Sequence, residues 1–136
     1  CVPGIKRIKN MEKKVQVEFE RLLGIQVLKL EDGRALLKLP FRRRFTNPHG
    51  SLHGGAIAAL ADTAAANALL VRYAGRSFLT VKFTIRFLKQ ALGDIFAEAR
   101  IIRVRKNIVT LQVKVFNREK AEVAAAAAEF FVREKR

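Results

Sequence analysis

Four kinds of residue are almost missing from this 136-residue chain: it has one cysteine, no tryptophan, one tyrosine and one methionine. A lone cysteine, Cys1, can form neither an intrachain disulfide nor a cysteine-based metal site, which fits a reducing interior. Two histidines, His49 and His53, stand without an acidic cluster beside them, so no metal constellation is expected. No apolar run of about 18 residues escapes a charge, which excludes a membrane-spanning helix. The N-terminal residues hold no apolar stretch of the secretory kind, so a cytoplasmic protein is expected. Negative charge is also scarce, with 12 Asp and Glu against 27 Lys and Arg, a formal net charge of +15.

What is present is a globular composition, 50% hydrophobic and 29% charged. A chain of this length removes roughly two-thirds of its unfolded surface from water, enough for one core. The positive surface attracts anions: nucleic acid, an anionic membrane face, or a small phosphorylated ligand such as a nucleotide or coenzyme A. Arg42, Arg43 and Arg44 form the one tight run, either a solvated face or a phosphate contact.

Residues 1–10 read as a flexible leader and 11–136 as one domain. Val15, Phe19, Leu22 and Leu23 recur at helical spacing, and Gly24 is a plausible stop. Two alternating stretches around Asp32-Gly33 predict a hairpin ending near Leu39. Residues 40–52 hold two of the three prolines and read as a long loop. Residues 53–72 predict a helix that is apolar on nearly all sides, hence buried all round. Beyond Gly75 the period changes to two. Leu79, Val81, Phe83, Ile85 and Phe87 mark a dry face, and 95–104 and 108–116 repeat the style across turns at Gly93-Asp94 and Lys106-Asn107. In 122–132 five successive alanines favour helix by propensity. The spacing and the Phe130-Phe131-Val132 ending favour a strand, which is the prediction. The expected class is α+β, one long helix across one antiparallel sheet, with an additional N-terminal helix.

Asp62 breaks the apolar helix, the only carboxylate between Asp32 and Asp94 in a stretch with ten Arg and Lys. An unpaired buried carboxylate costs several kcal/mol. Either it bonds a neighbouring hydroxyl or arginine, or it lines a cavity and does chemistry with a tuned pKa. His53-Gly54-Gly55 opens the same helix, where free backbone N–H groups form a site for a carbonyl oxygen becoming an oxyanion. Nine residues of helix separate His53 from Asp62 by about 13 Å. One chain therefore cannot readily bring Asp62 to an oxygen held at its own Gly54, but two antiparallel copies can.

The string Asn47-Pro48-His49-Gly50-Ser51-Leu52-His53-Gly54-Gly55 with Leu60-Ala61-Asp62 resembles the hotdog-fold acyl-CoA thioesterases of the phenylacetate-degradation type. Phe87-Leu88-Lys89-Gln90-Ala91 and Gly93-Asp94 extend the resemblance, although Gln90 stands where the family commonly has proline. The resemblance implies a hotdog fold, a homodimer and commonly a dimer of dimers, acyl-CoA as substrate, and no cofactor beyond the coenzyme A of the substrate. By position, Gly54 would polarise the thioester carbonyl, and Asp62 of the partner subunit would be base or nucleophile. Asn47 would hold the water or carbonyl, Thr80 would assist the water, and His53 would orient the loop. Gly50 and Gly55 would join the substrate site, with Arg42, Arg43, Arg44, Arg72, Arg76 and Lys89 as candidates for the coenzyme A phosphates. Two rivals stand beside this: a hotdog protein that binds acyl-CoA without hydrolysing it, and a basic nucleic-acid-binding protein. The second would want exposed aromatics among its cations, whereas Phe83, Phe87 and Phe116 are placed in the apolar phase of their strands.

Overall fold

The computed structural model describes residues 18–134. A short helix α1 (Glu18–Leu23) leads into the hairpin β1 (Gln26–Glu31) and β2 (Arg34–Leu39). A long loop with one 3-10 turn (Arg43–Phe45) follows, then the central helix α2 (Gly54–Ala68). Four strands complete the fold: β3 (Phe78–Phe87), β4 (Ile95–Arg105), β5 (Ile108–Asn117) and β6 (Glu122–Val132). The predicted leader and the first part of the predicted N-terminal helix lie outside the described residues. Within α1, Leu23 is buried but Phe19 and Leu22 are exposed.

All six strands form one antiparallel sheet in the order β1-β2-β4-β5-β6-β3, and α2 lies across its inner face. The turns fall where the sequence places them. Gly33 has φ +77° in the first hairpin, and Lys106 adopts φ 55° between β4 and β5. The alanine run is strand β6, as predicted. Its inward residues Ala124, Ala126 and Ala128 are buried in the same core as the equally small Ala61, Ala64 and Ala65 of the helix. Alanine on both sides lets helix and sheet approach closely, and this requirement overrides the helical propensity of the run.

Four expectations need correction. The central helix ends at Ala68 rather than running to residue 72, because Leu69 and Leu70 turn back on Ala66 and Asn67 carbonyls. It is not buried all round: Ala58, Ala59, Asp62 and Ala66 remain half-buried along one side. Alternation in β3 is also broken. A bulge between Thr80 and Lys82 adds a residue against β6, so Leu79 and Val81 point outward at 59% and 52% exposure. Phe78 and Thr80 then share the inner face with Phe83, Ile85 and Phe87. Phe116 likewise lies on the outer face, stacked on Phe96 with ring centroids 5.7 Å apart, because its neighbour Val115 takes the inward position.

Candidate active site

The loop before α2 is fixed by its own polar groups. Asn47 Oδ1 accepts the His49 and Ser51 amides at 2.9 and 3.3 Å, and its Nδ2 donates to Ser51 Oγ at 2.9 Å. Gly50 turns the tip with φ +85°, a conformation that disfavours a side chain, and donates its amide to the Asn47 carbonyl at 3.0 Å. His53 caps the helix: its Nδ1 accepts the Gly55 amide at 2.8 Å, and its carbonyl accepts from Ala56 and Ile57 at 2.9 and 3.2 Å. Because Nδ1 is an acceptor, the neutral ring carries its proton on Nε2.

This cap consumes the donors of the first turn except one. Gly55 is committed to the imidazole, so of the two glycines expected to serve a substrate only Gly54 keeps an N–H without a partner among the described residues. That amide sits at the positive end of a 15-residue helix. It opens onto a cleft of about 410 Å³ lined by Asn47, Ser51, Leu52, Gly54, Ile57, Phe87 and the segment Leu88–Ala91. His53 is thus the N-cap of the helix, its side chain held by the Gly55 amide.

Asp62 does not line that cleft. It lies eight residues on from Gly54, about 12 Å along the axis, and faces β3. Thr80 Oγ1 donates to Asp62 Oδ1 at 2.8 Å, a contact that exists because the bulge turns Thr80 inward. Among the described residues no cation pairs with this carboxylate. Burial holds its pKa above the ordinary carboxylate value, and the Thr80 hydrogen bond pulls in the opposite direction.

The basic candidates divide by position. Lys89 lines the cleft, and Arg42, Arg43 and Arg44 stand exposed at the start of the same loop. Arg72 and Arg76 lie beyond the opposite end of α2. Arg72 bonds Asp32 at 2.9 Å, and Arg76 donates to the Arg133 carbonyl at 2.8 Å while covering the Tyr73 ring. Within one chain these two are not brought to Gly54. Sequence reasoning gave no role to Ser51 or to the Phe87 ring against Gly54. The Asn-Pro-x-Gly turn signal could have suggested the loop bonds, but a ring-to-glycine contact leaves no sequence signal. Among the described residues no group of three or more potential metal ligands occurs, and no helix is long and apolar enough to cross a membrane.

A sheet wrapped on one long helix, with a lone open amide at the helix mouth and a pairless carboxylate midway along it, is the hotdog architecture. The thioesterase superfamily model matches residues 49–124, and the chain belongs to that family of thioester hydrolases. Acyl-coenzyme A thioesterase 13 of Homo sapiens is 30% identical over 110 residues, covering 79% of each chain. Acyl-coenzyme A thioesterase PaaI of Escherichia coli is 29% identical over 106 residues, covering 76% of this chain and 74% of that one. The solved structure of the E. coli PaaI protein superposes with a TM-score of 0.84 at 22% identity, spanning 94% of this chain and 92% of that one, a likeness of fold.

Proposed function

We propose that the protein hydrolyses acyl-CoA thioesters to free coenzyme A and a carboxylic acid, at a site shared between two copies of the chain. The observation that carries this is the division of the machinery. The open Gly54 amide and the perturbed Asp62 carboxylate sit on one helix about 12 Å apart, too far to act on one carbonyl. An antiparallel second copy set against the half-buried side of α2 and the free edge of β3 brings each Gly54 to the other's Asp62. Pairing that edge also removes an exposed strand with outward Leu79 and Val81, a liability in a single chain. Two such dimers would form the tetramer.

The chemistry follows from these groups. The thioester carbonyl oxygen accepts from the Gly54 N–H, which strengthens its hold as negative charge develops on that oxygen. One Asn47 amide hydrogen stays free beyond its bond to Ser51 and faces the same cleft. The partner's carboxylate takes a proton from water, or attacks the carbon itself, and Thr80 holds it by the oxygen it bonds. The thiolate of coenzyme A is the leaving group, and Lys89, which lines the cleft, and the exposed Arg42 to Arg44 of the preceding loop are the cations proposed to meet its phosphates. No step calls for a cofactor.

The test is a panel of acyl-CoA substrates followed by free-thiol release, on wild type and Asp62→Ala side by side. Wild type is expected to turn over and Asp62→Ala to lose about 10²–10⁴ of kcat with its oligomeric state retained. Near wild-type turnover by the variant would end the catalytic assignment, and tight binding with no turnover by wild type would favour a non-catalytic acyl-CoA-binding protein.

A further inference from the structure

Phe87 has no part in the hydrolysis described above, yet with Leu88–Ala91 it builds one wall of the cleft. Phe87 ends β3 in the inward phase, opposite Ala124 of β6. Its ring reaches the first residue of α2. A Cβ placed on Gly54 would lie 3.3 Å from the ring's Cζ, 3.5 Å from Cε1 and 3.9 Å from Cε2. These three atoms form the tip of the ring, which therefore packs against the Cα side of the glycine bearing the open N–H.

The ring is carried on fixed backbone. Leu88 and Lys89 amides both donate to the Val123 carbonyl, at 2.8 and 3.2 Å, and the Leu52 amide donates to the Ala91 carbonyl at 2.9 Å. Ala91 itself is 1% exposed. Phe87 is nevertheless 54% exposed, although its phase of the strand faces the helix. It is the one aromatic side chain among the residues lining the cleft, positioned to touch what enters beside Gly54.

The geometry of the bound thioester says with what. A carbonyl oxygen about 2.9 Å from the Gly54 nitrogen puts its carbon within about 4 Å of that nitrogen. The first acyl carbon follows one bond further on, within reach of a ring that already touches the glycine. A single methylene there fits beside the tip of the ring, whereas a second carbon substituent has to displace the ring.

We infer that Phe87 is a specificity-determining residue, its ring against Gly54 limiting the bulk next to the thioester carbonyl and selecting acyl groups unbranched at that carbon. This rests on the reading of Gly54 as the oxyanion donor. The test compares kcat/KM for butyryl-CoA and isobutyryl-CoA in wild type, Phe87→Ala and Phe87→Leu. Wild type is expected to prefer the linear substrate. The isobutyryl-to-butyryl ratio is expected to rise about tenfold or more in Phe87→Ala, the scale on which pockets discriminate a single carbon, with Phe87→Leu intermediate. A merely structural role would lower both rates together and leave the ratio alone. A ratio within twofold of wild type in Phe87→Leu, which keeps most of the side-chain volume, or in Phe87→Ala overturns the inference while the thioesterase reading stands. Wild type that hydrolyses neither substrate, nor any other thioester in the panel, overturns both.

Discussion

Arginines stand near both ends of the central helix, and the two sets are held differently. At the C-terminal end the arginines are spoken for: Arg72 is paired with Asp32, and Arg76 is bonded to the Arg133 carbonyl and laid on Tyr73. At the N-terminal end Arg42, Arg43, Arg44 and Lys89 make no ion pair among the described residues, and the Gly54 amide is open. Three acidic groups near the strand ends are likewise consumed by cations, Asp32 by Arg72, Glu98 by Arg34, and Asp94 by Arg118 and Lys38. The net charge of +15 is therefore not spread evenly in its effect. At the C-terminal end the arginines are held by an acid and a carbonyl; at the N-terminal end Arg44 lies over the Phe45 ring, Arg42 reaches Gly24, and Lys89 lines the cleft.

The sharpest way to break this comparison is to delete the open donor alone. Gly54 is the first helical residue, where proline is tolerated because its missing N–H breaks no helical bond. His53 already holds φ −60° and ψ 137°, the extended conformation that a following proline demands. Gly54→Pro should thus keep the helix and lose about 10²–10³ in kcat. Gly54→Ala crowds Phe87 in the same way but retains the N–H, so the difference between the two variants isolates the hydrogen bond. Equal losses would place the damage in the crowding. Mixing Gly54→Pro with Asp62→Asn through an unfolding and refolding step should restore activity, since each mixed dimer holds one site with both groups intact. No restoration would break the shared-site reading.

A smaller effect separates the two sets of arginines. Converting Arg42, Arg43 and Arg44 together to Gln should raise KM for a CoA thioester about tenfold, at a few tenths to one kcal/mol per exposed contact. The same variant should leave a phosphate-free acyl-pantetheine substrate unaffected, and its KM effect should shrink at high salt. Arg72→Gln and Arg76→Gln should leave KM alone and lower Tm by a few degrees at most, because their partners are exposed. A KM effect from Arg72 or Arg76 equal to that of the loop triplet would mean that a second copy brings them to the substrate.

Much of this was legible in the chain. The Asp-Gly hairpin, the turns at Gly93 and Lys106, and the strand assignment of Glu122–Val132 rest on local chemistry and on what packs beneath an alanine-rich helix. Asp62 announced itself by being the sole acid in its stretch. The rest depended on register and on approach in space. A bulge at Val81 is one residue that pattern-reading counts as regular alternation, yet it decides whether Thr80 faces Asp62 or solvent. Ring-to-glycine contact at Gly54 joins positions 33 residues apart, and nothing in either neighbourhood encodes it. Arginine pairing is of the same kind, since exposed cations look alike until their neighbours are known.

Thr80 supplies the finest test, because it acts on the carboxylate through a single bond. Burial raises the Asp62 pKa and the Thr80 hydrogen bond lowers it. Removing that bond in Thr80→Ala should move the pKa further up. If Asp62 works as the ionised base or nucleophile, the acid limb of kcat/KM against pH must then shift to higher pH, with a smaller change on the alkaline plateau. The same raised pKa fixes a stability sign. In the window between the unfolded and folded values the native state binds more protons than the unfolded one, so stability falls as pH rises through it. The cost is fully present above the folded pKa, which makes Asp62→Asn more stable than wild type at neutral pH, read as a higher Tm. That advantage should vanish below the unfolded carboxylate pKa, where wild type carries the proton in both states. A limb that moves to lower pH in Thr80→Ala, or an advantage of Asp62→Asn over wild type no larger at pH 7 than at pH 3, would show that this carboxylate is not the half-buried, ionised group the mechanism uses.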